Sequence, residues 1–415
     1  MITIDRLGGQ GDGIGMVEGQ IVYVPYGVPG DRLRIRLGNP RGQGLKAEIL
    51  AVEEAGQARR DPPCAHFGRC GGCALQQIRD DPYADWKRGR LVEALRQQGL
   101  GDAPVGGLIR TAADSRRRVT LAARTRKGAA VLGFHAQESH DIVDLRECHV
   151  ILPVLTGLIA PLRDLAAREL PAGGRAELMA TATATGIDLL VRADKAPNRD
   201  SRAALAVFAT AQKLARLSWQ TGKEEPEPIA QHRVPQVTFA GVAVDLPPGA
   251  FLQASAEAEQ AMVELVVAAA AGAKRVADLY AGCGTFTFPL ARTAQVQAVE
   301  GDKDSIAALT GATRRNSLGR IAGERRDLAR DPLQPDELRF FDCVVFDPPR
   351  AGARAQSEML AKSRVPVAVA VSCDPGSFAR DARILVDGGY RLESVTPIDQ
   401  FVWSPHLEIV AVFRR

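Results

Sequence analysis

The 415-residue chain lacks any apolar run long enough to cross a bilayer. Its most apolar helical stretch, 261–273, is interrupted by Glu264, whereas a helical span needs about 20 predominantly apolar residues. The opening Met-Ile-Thr-Ile-Asp-Arg has no charged segment followed by an apolar one. No secretory signal and no membrane are therefore expected, and the expected location is the cytoplasm. An excess of charge is also nearly absent: 53 Lys and Arg face 49 Asp and Glu, a net charge of +4. All of it lies in the first 150 residues, which hold 22 basic against 18 acidic side chains. An even cysteine count is missing too. Seven cysteines in a long chain without a secretory signal argue against a disulfide framework and for thiol or metal chemistry.

At this length two or three domains are expected. Residues 1–56 alternate apolar and polar positions between Gly-rich and Pro-rich turns, the pattern of a small all-β barrel. In Arg32-Leu-Arg-Ile-Arg-Leu37 every other residue is Arg, giving one apolar and one cationic face. That face is either an RNA-binding surface or a solvated sheet face. The densest basic cluster is Arg116, Arg117, Arg118, Arg124, Arg126 and Lys127, which could follow a phosphate backbone or simply be solvated.

Three cysteines lie close together in Pro62-Pro-Cys64-Ala-His-Phe-Gly-Arg-Cys70-Gly-Gly-Cys73, and a fourth, Cys148, follows in Arg146-Glu-Cys-His149. Gly71 and Gly72 permit the tight backbone that would let the thiols surround a metal centre. A structural zinc usually draws on two paired knuckles, and only Cys70 and Cys73 form one. The three-plus-one spacing favours a four-cysteine iron-sulfur cluster. His66 and His149 stand beside these cysteines without ligand spacing.

Residues 57–235 otherwise predict an α+β unit. The expected elements are an amphipathic helix over 83–100 on Tyr83, Trp86, Val92 and Leu95, and hairpins over 117–144 turning around Arg126-Lys127-Gly128. A helix over 154–170, a hairpin turning at Thr185-Gly186 and an exposed loop over 223–228 follow. From about 236 strands alternate with helices, as in a doubly wound α/β sheet.

In that last unit Val276-Ala-Asp-Leu-Tyr280-Ala-Gly282-Cys-Gly284 reads as a strand entering a Gly-rich turn. A second strand ends at Glu300, where a carboxylate can hold ribose hydroxyls. The third Gly of a dinucleotide fingerprint is absent, which favours S-adenosylmethionine over a nicotinamide, since it carries no phosphate. The strand into Asp347-Pro-Pro-Arg350 aims an acid at the same crevice. Val365-Pro-Val-Ala-Val-Ala-Val-Ser-Cys-Asp374 then reads as a strand buried on both faces that delivers Cys373 to the sheet edge. A lone strand cysteine is usually packing; one beside Asp347 at a ligand-binding edge is a candidate nucleophile.

Gln253 after Phe251, Asp278-Leu-Tyr-Ala-Gly-Cys-Gly284, Asp347-Pro-Pro-Arg350, Ser372-Cys-Asp-Pro375 and His406-Leu-Glu408 together resemble the RNA uracil-5-methyltransferases. The resemblance implies a Rossmann-like class I methyltransferase domain at 236–415, preceded by an OB-like TRAM barrel and a four-iron four-sulfur site on Cys64, Cys70, Cys73 and Cys148. It implies Cys373 as nucleophile and Glu408 as base. Gln253, Tyr280, Glu300, Asp327 and Asp347 would lie at or near the cofactor. Ser255 departs from the family, which usually has Asn there, and Cys283 and Cys343 are assigned to packing.

The implied reaction makes carbon 5 of uracil nucleophilic by adding the Cys373 thiolate at carbon 6, after which a base removes the carbon 5 proton. The uridine must be unstacked to be reached. Barrel and cluster together resemble the enzymes acting on 23S ribosomal RNA, with transfer RNA second; no obligate protein partner is implied. The alternatives are a non-catalytic RNA-binding factor, and an amino-methyltransferase, which also uses an acid before Pro-Pro but needs no thiol.

Overall fold

Alternation of apolar and polar residues puts one face of each N-terminal strand inward, and six strands between Ile2 and Glu54 form one sheet around Ile2, Ile4, Val22, Val24, Leu33 and Ala47. The structure, a computed structural model, describes residues 1–126 and 129–415. Arg32 and Arg36 stand opposite Glu54 and Glu48 of the neighbouring strand and pair with them, and Arg34 pairs with Glu53. This face is charge-balanced, with both partners of each pair exposed. Directly opposed unlike charges favour such strand pairing.

The middle unit is a second six-stranded sheet. Its strands, in spatial order, are Glu227–Gln231, Arg216–Thr221, Gly186–Ala193, Arg175–Thr183, Arg118–Arg126 and Ala129–Gly133. Helices Ile159–Glu169 and Arg199–Ala211 cover one face through Leu162, Leu165, Leu205 and Phe208. The single helix expected over 154–170 is broken into Pro153–Thr156 and Ile159–Glu169. Pro161 explains the break, because its ring clashes with a helical carbonyl four residues earlier, at Gly157. The expected exposed loop over 223–228 is partly strand, with Pro228 tolerated because Glu227–Gln231 is an edge. The Lys127-Gly128 turn lies outside the described residues.

The helix expected over 83–100 runs Asp80–Gln97, and its buried stripe is Tyr83, Lys87, Leu91 and Leu95, at steps of four. A lysine therefore occupies a core position in place of Trp86, which is only partly buried. Leu91 and Leu95 join the core beneath the C-terminal sheet, and Ile109–Arg110 adds its last strand. Residues 80–110 thus pack with the C-terminal unit, although their sequence position places them in the middle one.

The C-terminal sheet has eight strands in the order Ile321–Arg325, Gln295–Glu300, Arg275–Leu279, Cys343–Phe346, Val367–Ser372, Glu408–Arg414, Arg391–Asp399 and Ile109–Arg110. The first five are parallel and Glu408–Arg414 is antiparallel to both its neighbours. Near-continuous Val and Ala in the central strands follow from burial on both faces. Strand order reverses between Arg275–Leu279 and Cys343–Phe346, which places a crevice at their carboxyl ends. Among the described residues no helix is long and apolar enough to cross a membrane.

Phe413 is fully buried in the strand that joins the parallel and antiparallel parts. Phe413→Ala is expected to destabilise the C-terminal unit by about 3–5 kcal/mol, through lost transfer energy and a residual cavity. Urea unfolding followed by tryptophan fluorescence checks this; a loss under about 1 kcal/mol, typical of surface positions, would contradict the packing.

Candidate active site

The antiparallel ladder ends with Ser372 paired to Ile409; Cys373 follows the one and Glu408 precedes the other, near enough for the Glu408 charge to act on the thiol. A thiol and a carboxyl therefore meet at one sheet edge because two strands of opposite direction end and begin there. Glu408 is buried, and loss of water with the nearby Asp347 charge pushes its carboxyl up to about 8. Asp347, at the end of Cys343–Phe346, is pushed up to about 7 by burial. Cys373 is half-buried, and burial followed by the charges of Glu408 and Asp347 pushes its thiol up to about 11.

Glu408 is buried and Asp347 partly buried, and two glutamines supply their hydrogen-bond partners. Gln253 Nε2 donates to Asp347 Oδ2 at 3.0 Å. Gln400 Nε2 donates to Gln253 Oε1 and to Glu408 Oε1, both at 2.8 Å. Gln400 Oε1 accepts from the Ala254 N–H at 2.8 Å, which leaves its amide NH2 facing the two groups it serves. Asp347, Gln253, Gln400 and Glu408 thus form one chain of hydrogen bonds. Sequence reasoning missed Gln400; an amide in Asp399-Gln-Phe401 carries no signal until the fold sets it beside Glu408.

Tyr280 follows the first strand with a left-handed φ of 60°, and the turn beyond it uses Gly282 and Gly284 at φ 54° and 104°. A Cβ at Gly284 would lie 2.5 Å from Phe288, so glycine is required on both counts. Glu300 accepts from the backbone N–H of Gly282 at 2.9 Å and of Asp302 at 2.7 Å, tying the second strand to this turn. Asp327 is more than half exposed and lies near Tyr280, whose hydroxyl is pushed up to about 12 by burial and by the charges of Asp381, Asp327 and Glu300. Asp278 is fully buried; one oxygen accepts from Thr287 Oγ1 at 2.5 Å, while Oδ1 has no partner within the protein. An orphaned buried carboxylate oxygen among several acids suits a cofactor that presents a cationic donor, as an amino-acid ammonium does.

Ser255, the departure from the family pattern, caps helix Ala256–Ala269 through a 3.0 Å bond from the Ala258 N–H. Its hydroxyl is spent there. Cys283 and Cys343 are buried, as assigned. Within the basic cluster, Arg116, Arg117 and Arg118 each contact other groups of the protein. Arg117 pairs with the buried Glu259 and donates to the Gln253 carbonyl at 3.0 Å, while Arg118 stacks over Phe251. Arg116 lies over Phe401, and Arg124 is exposed; the side chains of Arg126 and Lys127 lie outside the described residues.

A cavity of about 400 Å³, in the range of small-ligand sites, opens on Cys373 and is lined by Arg116, Arg350, Phe401 and His406 on one part and Gly71, Gly72 and Ala74 on another. A second cavity of about 60 Å³ is lined by all four of Cys64, Cys70, Cys73 and Cys148, and Arg116 lies between the two. Among the described residues no three metal-ligating side chains converge as a single ion requires. Gly71 donates to the His135 carbonyl at 2.9 Å, and Gly72 donates to Cys70 Sγ at 3.4 Å. Burial raises all four thiols, Cys73 to about 12.

The family model described as tRNA (Uracil-5-)-methyltransferase matches residues 241–415. An uncharacterized RNA methyltransferase of Mesorhizobium japonicum is 44% identical, over 100% of this chain and 97% of that protein. The 23S rRNA (uracil(1939)-C(5))-methyltransferase of Chromohalobacter salexigens is 35% identical, over 100% of this chain and 89% of its own length. The solved structure of Pyrococcus abyssi tRNA (uracil-54, C5)-methyltransferase in complex with S-adenosyl-L-homocysteine shares the fold, with a TM-score of 0.78 at 22% identity and full coverage of both chains.

With its thiol at about 11, Cys373 in the free protein should alkylate faster as pH rises through 8 to 11. Glu408→Gln removes a neighbouring negative charge and should move that titration to lower pH. Iodoacetamide labelling quantified on the Cys373 peptide checks both; a pH profile unmoved by Glu408→Gln would contradict their proximity.

Proposed function

The chain belongs to the RNA uracil-5-methyltransferase family and is an S-adenosylmethionine-dependent enzyme; within that family we propose that it methylates a uridine of 23S ribosomal RNA. The observation that supports the mechanism is the ladder ending at Ser372 and Ile409, with Cys373 and Glu408 the next residues beyond it. S-adenosylmethionine supplies an electrophilic methyl group. The Cys373 thiol gives its proton to water in the cavity and adds as thiolate to carbon 6 of the uracil; the electron pair of the 5,6 double bond, now at carbon 5, bonds to that methyl as its bond to the sulfonium sulfur breaks, leaving S-adenosylhomocysteine. Glu408 then takes the carbon 5 proton, the double bond re-forms, and the carbon 6–sulfur bond breaks to release Cys373. For that step Glu408 must be ionised, and a carboxyl raised to about 8 is a strong enough base to act near neutrality.

Gln253, Asp347, Tyr280, Glu300 and Asp327 are assigned to the cofactor and base side of the crevice, with Asp278 added for its orphaned oxygen. Arg116 and Arg350 give the Cys373 cavity a cationic mouth suited to an RNA phosphate, beside His406, whose imidazole is lowered by burial and by the surrounding Arg350, Lys87, Arg90 and Arg116. The division at 1–56, 57–235 and 236–415 into TRAM-like barrel, central RNA-binding unit and catalytic domain, with 80–110 packed on the last of these, is part of the proposal, as is a cytoplasmic location. Ribosomal rather than transfer RNA is favoured by the 35% identity, over nearly full length, to a 23S rRNA enzyme.

For the four thiols that line one cavity the reading we propose, as the family resemblance implies, is a four-iron four-sulfur cluster, in which each thiolate binds a different iron. Held by Cys64, Cys70, Cys73 and Cys148, such a cluster would fix the Gly71–Gly72 backbone that walls the Cys373 cavity. Protein purified without oxygen should contain about four irons per chain, and Cys148→Ser should lose most of them; one tightly bound zinc would contradict the assignment.

Transfer of labelled methyl from S-adenosylmethionine to unmethylated 23S and transfer RNA transcripts, with nucleoside analysis, tests the substrate. The expected result is 5-methyluridine in the ribosomal transcript, with Cys373→Ala inactive and Glu408→Gln slowed by about 10²–10⁴-fold. Label in transfer RNA alone would overturn the substrate, and an active Cys373→Ala would overturn the mechanism.

A further inference from the structure

Resting on the reading of Glu408 as the base, we propose that Lys87, on a helix far from it in sequence, is a positioning residue for the proton-removal step. Lys87 is fully buried at the one polar position of the helix stripe Tyr83, Lys87, Leu91 and Leu95. Its ammonium donates to Asp399 Oδ1, to the Phe401 carbonyl at 3.1 Å and to the His406 carbonyl at 2.7 Å. All three donors are used, and they grip both ends of the loop between strands Arg391–Asp399 and Glu408–Arg414.

The same helix adds two further holds. Tyr83 donates to Asp399 Oδ2 at 2.6 Å and accepts from the Trp403 N–H at 2.9 Å, and Arg90 donates to the Pro405 carbonyl. Thr111 donates to the Asp399 carbonyl at 2.7 Å. The loop held in this way carries Gln400, adjacent to Asp399, whose amide grips Glu408. It also presents Phe401 and His406 to the Cys373 cavity. Burying an ammonium and a carboxylate incurs a desolvation penalty that an apolar pair would avoid, so their presence is better explained by the geometry they impose than by stability. Lys87 acts through Asp399 and the loop backbone on Gln400, and through Gln400 on the direction of the Glu408 carboxyl.

This assignment separates the two halves of the reaction. Thiolate addition and methyl transfer need Cys373 and bound cofactor. Release needs Glu408 aimed at the carbon 5 proton, whose removal restores the double bond and expels the thiolate. A misaimed base therefore leaves enzyme and methylated RNA covalently joined.

The test is the amount of covalent protein–RNA adduct formed with S-adenosylmethionine and RNA substrate, resolved on denaturing gels, alongside single- and multiple-turnover rates. The proteins are wild type, Glu408→Gln, Lys87→Met and the double variant Lys87→Met with Asp399→Asn. The double variant removes the buried charge that Lys87→Met alone would strand, so folding is preserved if the single variant is unstable. Thermal unfolding and cofactor binding monitor the fold. Glu408→Gln should accumulate adduct; if it does not, the reading of Glu408 fails, independently of Lys87. The folded Lys87 variants should bind cofactor normally, form adduct at near wild-type rate and release product about tenfold more slowly, the scale of one misplaced hydrogen bond. Folded variants with wild-type turnover and no adduct would overturn the proposal. So would variants in which adduct formation and release decline together, the pattern of a merely structural lysine.

Discussion

Two carboxyl groups and a thiol are withdrawn from water at one sheet edge, and the surrounding architecture is arranged around that cost. Each of Asp347 and Glu408 would be destabilising if left unbonded. Gln253 and Gln400 satisfy both and, because Gln400 donates to two groups at once, fix them relative to each other. Burial leaves Glu408 and Asp347 far above ordinary carboxyls, and burial first, with their charges second, pushes the Cys373 thiol up to about 11. The free enzyme thus keeps its nucleophile largely protonated, a resting state consistent with a thiolate needed only when a uracil is in place.

The rest of the chain supports this edge more than it decorates it. Arg117 and Arg118 staple the middle unit to the segment carrying Gln253, through Glu259, the Gln253 carbonyl and Phe251. Residues 80–110 complete the C-terminal sheet and hold the loop that bears Gln400. Gly71, Gly72 and Ala74 of the cysteine loop wall the cavity above Cys373. Phe251, Gln253 and Ser255 show how densely one segment is used: an exposed ring under Arg118, a buried amide in the site, and a helix cap.

What could be read from the sequence was what repeats locally. Parallel strands buried on both faces are unbroken Val and Ala runs with abrupt ends, so the positions of Asp347 and Cys373 at the crevice were legible from Cys343–Phe346 and Val367–Ser372. The turn through Gly282 and Gly284 was legible because only glycine tolerates that backbone. Illegible were groups whose partners are distant in the chain. Lys87 looks like a solvent-facing lysine until Asp399, 312 residues away, is folded against it. Gln400 has meaning only beside Gln253 and Glu408. The arginines of 116–118 read as either a phosphate track or a solvated face, and their spacing cannot reveal Glu259 or Phe251 as their partners. The broken helix at Gly157 is a different failure: Pro161 carried the signal, and its effect one turn earlier was overlooked.

The central claim is a covalent bond between Cys373 and carbon 6 of the target uracil. RNA containing 5-fluorouridine tests it most directly, because fluorine at carbon 5 cannot leave as a proton to the base. Incubation with S-adenosylmethionine, followed by nuclease and protease digestion and mass spectrometry, should yield the Cys373 peptide carrying a methylated fluorouracil nucleotide. A stable adduct on any other residue, or methyl transfer to ordinary RNA with no trapped Cys373 peptide from the fluorinated one, would contradict the account.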